Sequence, residues 1–67
     1  MAPIEPRDLR KLPKIIRQTG LSAPTIYRRA KQGTFPRPVK VGVRASAWLG
    51  REIDAWVAAR VAARDAA

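Results

Sequence analysis

The chain has 67 residues, with 14 Lys and Arg against five Asp and Glu, a formal net charge of +9, and neither Cys nor His. That length suits one domain with a thin core, one that buries about 60% of the unfolded chain's surface. The composition excludes disulfides, thiolate or imidazole metal sites and His-centred catalysis, and the lack of a secretory signal or a run of about 18 apolar residues predicts a cytoplasmic protein.

Residues 1–8, with Pro3 and Pro6, read as a flexible leader, and Asp8 to Leu12 as a short extended segment that pairs with a hairpin further along. Pro13 suits the first turn of a helix running to about Thr19, with Leu12, Ile15 and Ile16 inward and Lys14, Arg17 and Gln18 outward. Gly20 then supplies the left-handed residue that ends a helix, Leu21 plugs the corner, and Ser22 is a good N-cap before Ala23 and Pro24. A second helix follows from about Ala23 to Gln32, closed by Gly33. Ile26 and Ala30 stand four apart on its inner face, while Thr25, Arg28, Arg29 and Gln32 form a polar stripe. Two helices punctuated this way, joined by a turn of about three to four residues, are the helix-turn-helix signature. The second helix of such a pair is the one that enters the DNA major groove.

Two prolines in Thr34 to Pro38 rule out regular helix, and Phe35 is expected as a core anchor. Val39-Lys40-Val41 alternates as a half-buried strand does, Gly42-Val43-Arg44 makes a tight reversal, and Ala45 to Trp48 returns. This minimal β-hairpin, with Lys40 and Arg44 near its tip, reads as a DNA-contacting wing or as a purely structural hairpin. A third helix is predicted from roughly Gly50 to Arg64, with Glu52 and Asp54 in its first turn and Arg60 and Arg64 in its last, matching the macrodipole. Ile53, Trp56, Val57 and Val61 give it one apolar face, and Trp48 and Trp56 are expected to close the core. The Ala-rich end, with residues 65–67 as a tail, is either frayed or a contact surface for a second copy.

Between Leu9 and Arg51 there is no Asp or Glu, yet eleven Lys and Arg fall there. A general surface intersperses both signs, whereas a one-sign stretch makes a field suited to a polyanion. Within it, Thr25, Arg28 and Arg29 are the candidate base readers. Lys14, Arg17, Lys31, Arg37, Lys40 and Arg44 are the candidate phosphate and wing contacts, joined by Ser22 and Tyr27. An enzyme is the poorest reading, because the carboxylates lie near the chain's two ends, no Gly-rich phosphate loop is present, and Ser22 and Ser46 have no visible base. No cofactor or metal is expected.

Gly-Leu-Ser-x-x-Thr-Ile-Tyr-Arg at Gly20 to Arg28 is followed by Lys-x-Gly-x-Phe-Pro-x-Pro-Val-Lys at Lys31 to Lys40, then by Arg44, Trp48, and Glu-Ile-Asp-x-Trp at Glu52 to Trp56. Over about Leu9 to Arg60 this order resembles the AlpA family of prophage regulatory proteins, which look like a minimal MerR-type winged helix-turn-helix shared with phage excisionases. The resemblance implies a mainly α fold with a small β-hairpin, in a bacterial or phage-encoded DNA-binding protein of a mobile element, associated with the nucleoid. It places Thr25, Tyr27, Arg28 and Arg29 on the recognition helix, Lys40 and Arg44 on the wing, and Trp48 and Trp56 in the core. Against the general repressor-type motif, Ile16 replaces a small residue, which would push apart or tilt the helices, and Arg29 replaces an apolar one.

The expected function is sequence-specific regulation of integrase or excision genes on double-stranded DNA. Several copies would act on repeated sites, integrase is a further candidate partner, and no membrane is involved. An excision factor that bends the attachment site is the alternative, and a basic protein-interaction adaptor the third. An RNA reader fits the charge but lacks an exposed aromatic platform.

Overall fold

The computed structural model describes residues 8–66. Of the expected leader, only Asp8 lies among them. The elements run β1 (Leu9–Arg10), α1 (Leu12–Thr19), α2 (Ala23–Gln32), β2 (Val39–Gly42), β3 (Ala45–Leu49) and α3 (Gly50–Ala66). The fold is mainly helical with a small antiparallel sheet in the order β1-β3-β2, as a compact winged helix-turn-helix requires.

Local chemistry sets the boundaries of the helix pair. Pro13 occupies the first turn of α1, where its missing donor costs nothing. The Gly20 N–H donates to the Ile16 carbonyl at 2.8 Å, and the Thr19 hydroxyl donates to the Ile15 carbonyl at 2.7 Å while accepting from the Leu21 N–H at 3.2 Å. Both helix-ending glycines are left-handed, with φ of +75° at Gly20 and +84° at Gly33, a conformation that strains any residue with a Cβ. After α2, the N–H groups of Gly33 and Thr34 cap the Ala30 and Arg29 carbonyls.

The three helices, the connecting loop and β3 each send one side chain to the centre. Ile15 of α1, Ile26 of α2, Phe35 of the connecting loop, Trp48 of β3 and Ile53 of α3 form the buried cluster. Leu12, Ile16, Leu21, Trp56 and Val57 pack around it, so Ile16 is partly buried at the margin of the core. The two indoles also fasten the proline loop. Trp48 Nε1 donates to the Pro36 carbonyl at 3.0 Å, and Trp56 Nε1 donates to the Thr34 carbonyl at 2.9 Å. Phe35 meets Trp56 edge-on at 4.9 Å between centroids.

Two expectations are corrected. Val39 and Val41 do not form a half-buried strand, since every residue of β2 is exposed. β2 is the sheet edge, and the buried positions of the hairpin, Ala47 and Trp48, both belong to β3. Val39 pairs with Ala47, Lys40 with Ser46 and Gly42 with Ala45, leaving Val41 as a bulge that disrupts an otherwise open edge. Val61 is not part of the inner face of α3 but stands 43% exposed. The helix follows the core through Ile53, Trp56 and Val57 and then projects past a domain too small to cover it.

Candidate nucleic-acid interface

Helix α2 carries the candidate reading face. Its N-terminus is fixed by Ser22, whose Oγ accepts from the Thr25 N–H at 3.4 Å and donates to the Thr25 hydroxyl at 2.9 Å. Both Ser22 contacts are internal to the cap, so this hydroxyl holds Thr25 in place and starts the helix. Ile26 and Ala30 anchor the opposite side in the core. With that side fixed, Arg28 is exposed, and Thr25 and Arg29 are partly exposed. The α2 backbone therefore holds the roots of these side chains rigidly while their polar ends reach outward.

Three of the candidate phosphate contacts are brought together. Tyr27, Lys31 and Arg37 line a shallow cavity of about 300 Å³ together with Ala30 and Pro38. Tyr27 is half exposed and packs its ring on Trp48 at 5.8 Å between centroids, so the core sets the ring of a residue that lines the cavity with Lys31 and Arg37. Arg37 stands between this cavity and a neighbouring one of about 550 Å³ lined also by Pro36, Val39, Leu49, Ala55 and Glu52. Glu52 therefore tempers the field on one side of Arg37 and leaves the α2 side wholly basic.

Lys14 and Arg17 are exposed on α1, and among the described residues no side-chain hydrogen bond or ion pair joins them to the α2 group. Lys40 and Arg44 are exposed on the hairpin, where Lys40 Nζ donates to the Val43 carbonyl at 3.4 Å and so lies back along the turn. The candidate residues thus fall into an α1 pair, an α2 and loop group, and a hairpin pair.

A different cation from the same acid-free stretch is fully committed inside the fold. Arg10 Nε and Nη2 donate to the Asp8 carboxylate at 3.0 and 2.8 Å, and Nη1 and Nη2 donate to Asp54 at 2.7 and 3.0 Å. Nη1 also donates to Gln18 Oε1 at 2.9 Å, which satisfies all five guanidinium donors. Gln18 Nε2 closes the ring by donating to Asp54 at 2.9 Å. Asp54, and then Asp8, raise the Arg10 pKa above the ordinary arginine value, while Arg10 first and Gln18 second hold the Asp54 carboxyl below its ordinary range. Among the described residues the only other ion pair joins Arg64 to Asp65, so no carboxylate among them is in ion-pair contact with any candidate DNA-contacting cation.

One residue of this surface lacked an assigned role in the sequence. Val43, at the hairpin tip, is 91% exposed. The signal that marks it is a β-branched residue where turns ordinarily place Gly, Asn, Asp or Ser.

The family model described as prophage CP4-57 regulatory protein (AlpA) matches residues 8–61. The chain is 41% identical over 54 residues to an uncharacterized protein, ORF88, of Enterobacteria phage P4, a match that covers 81% of this chain but only 61% of that protein. It is 34% identical over 56 residues to the DNA-binding transcriptional activator AlpA of Escherichia coli (strain K12), covering 75% of this chain and 80% of the activator.

Proposed function

The chain belongs to the AlpA family of prophage regulatory proteins, and on that premise we propose that it is a sequence-specific, double-stranded DNA-binding transcription regulator of a prophage or mobile element, acting on integrase or excision genes. One observation carries the reading. Arg28 projects from a capped, core-anchored helix with no carboxylate among the described residues in ion-pair contact, although the same sequence locks Arg10 completely. The name of the Escherichia coli relative supports DNA as the polyanion.

In this mechanism α2 lies in the major groove. Arg28 offers a planar pair of donors to the O6 and N7 acceptors of guanine, with Thr25 and Arg29 beside it. Such a bidentate contact discriminates against a wrong base by about 1–3 kcal/mol. Lys14, Arg17, Lys31, Arg37 and Lys40 neutralise phosphates and set the orientation, and Tyr27 donates from the rim of the cavity it shares with Lys31 and Arg37. With Arg44 of the hairpin as a sixth, such contacts imply a slope of about −5.4 for log affinity against log salt. The hairpin, with Arg44, follows the backbone into the adjacent minor groove. A single module of this size buries only roughly 600–1,000 Å² on DNA, so several copies act together on repeated or inverted sites.

The reading is tested by gel-shift titration at two salt concentrations. The probes are the DNA upstream of the protein's own gene, the nearest integrase promoter, the attachment site and a random duplex of equal length. One natural duplex is expected to bind at least about a thousandfold tighter than the random one. Equal binding of all duplexes that collapses with modest salt would overturn the proposal, since only the nonspecific electrostatic component would be present.

A further inference from the structure

The hairpin tip combines features that protein folding alone does not explain. Val43 is 91% exposed, the most exposed large apolar residue among those described. It touches none of the core cluster, so its side chain contributes nothing to packing. It occupies a two-residue turn, a position for which a β-branched side chain has no local preference. The turn is also made without a positive φ at Val43 or Arg44, which departs from the primed turns that two-residue hairpins favour. Single exposed apolar residues are common on surfaces and need no explanation. Val43 differs because Arg44 and Lys40 flank it, with Lys40 Nζ bonded to Val43's own carbonyl. An apolar tip between two cations suits a partner that is anionic at its rim and apolar between its walls.

The minor groove of duplex DNA has that character, with phosphates along both rims, largely apolar sugar walls between them, and base steps whose faces a wedge reaches by partly unstacking them. Resting on the DNA-binding reading above, we infer that Val43 is an apolar wedge. It presses against a base step in the minor groove while Lys40 and Arg44 hold the phosphates on either side. Side chains used this way partly unstack the step and kink the duplex by roughly 20–90°. Flexible pyrimidine–purine steps deform most readily, so Val43 adds a preference for such a step at a position no hydrogen bond reads. The register shift at Val41 is compatible with that geometry, because a bulge bends its strand and increases the local twist next to the tip.

The test uses the full chain and duplexes recovered from a randomised pool by binding selection. Affinity is read by fluorescence anisotropy, bending by energy transfer between the duplex ends, and stability by thermal melting. Val43→Asn is expected to melt at or slightly above the wild-type temperature, to bind the selected duplex roughly tenfold more weakly, as losing most of one buried valine contact implies, and to bend it less. Val43→Leu is expected to restore both affinity and bend. A Val43→Asn chain that binds and bends as the wild type does overturns the wedge and leaves the recognition-helix reading standing. So does a variant whose affinity falls with no change in bend. A wild-type chain for which selection recovers no preferred duplex overturns both.

Discussion

Two arginines of one acid-free run meet opposite fates. Arg10 lies at the junction of β1, α1 and α3, with its side chain 12% exposed and every guanidinium donor occupied by Asp8, Asp54 and Gln18. Arg28 lies exposed on α2, in ion-pair contact with no carboxylate among the described residues. In sequence both are basic residues with no acid within the run that surrounds them. In the fold, Asp54 comes from 44 residues away and removes Arg10 from the DNA-facing field. Net charge therefore measures the long-range attraction to a polyanion but does not say which cations remain available to touch it.

The contrast is broken most strongly by changing the cation assigned to base reading. Arg28→Ala is expected to lower affinity for the preferred duplex by about 1–3 kcal/mol, roughly 5- to 150-fold, and to relax discrimination at one base position. Its thermal melting should stay within about 0.5 kcal/mol of the wild type, because the side chain supports nothing in the fold. Equilibrium titrations on single-base variants of the duplex check the first expectation, and denaturant unfolding checks the second.

Ser22→Ala sharpens the comparison from the other direction, since Ser22 shapes the reading face through the backbone. The lost N-cap should destabilise the domain by about 1 kcal/mol. The Thr25 hydroxyl, losing its 2.9 Å partner, should read its base less selectively. Urea unfolding with and without the selected duplex separates the two effects.

Lys31→Ala addresses the phosphate contacts. It should weaken binding to all duplexes alike and reduce the salt slope by about one, leaving base preference intact. A changed preference with an unchanged slope would move Lys31 into the reading set.

The smallest expected effect lies at the Arg10 corner. Asp54 titrates below its ordinary carboxylate value in the folded chain, so the folded state binds a proton there less readily than the unfolded state does. Its stabilising contribution is fully present above the unfolded value of about 3.9, and is lost as pH falls through the lower folded value. Thermal melts between pH 2 and 7 should show this acid loss in the wild type, and Asp54→Asn should flatten it without altering the salt slope of DNA binding.

What could be read from the sequence was local. Gly20, Ser22, Pro24 and Gly33 punctuate the helix pair through their own backbone chemistry, and α2 begins and ends where they require. Phe35, Trp48 and Ile53 were legible as core because an apolar residue among polar neighbours has few alternatives in a small domain. The exposure of Val39, Val41 and Val61 was not legible, because alternation and helical spacing identify a face without saying whether anything covers it. Among the described residues β2 is an edge and the end of α3 is exposed. Nor was the Arg10 network, because Asp54 reads locally as an acid suited to a helix N-terminus, and its bonds to Arg10 and Gln18 form only once α3 packs beside β1 and α1. At the candidate site, the residue types on α2 were legible, while the convergence of Tyr27, Lys31 and Arg37 on one cavity depended on the path of the proline loop.

The most direct test compares how Arg28→Ala and Arg10→Ala each discriminate the selected duplex from a random one, at one salt concentration and at a temperature where both chains are folded. Arg28→Ala is expected to give up about 1–3 kcal/mol of that preference, whereas Arg10→Ala keeps it and melts at a lower temperature. Equal loss of preference in the two variants, or loss in Arg10→Ala alone, would contradict the division of the basic run into a structural cation and a reading one.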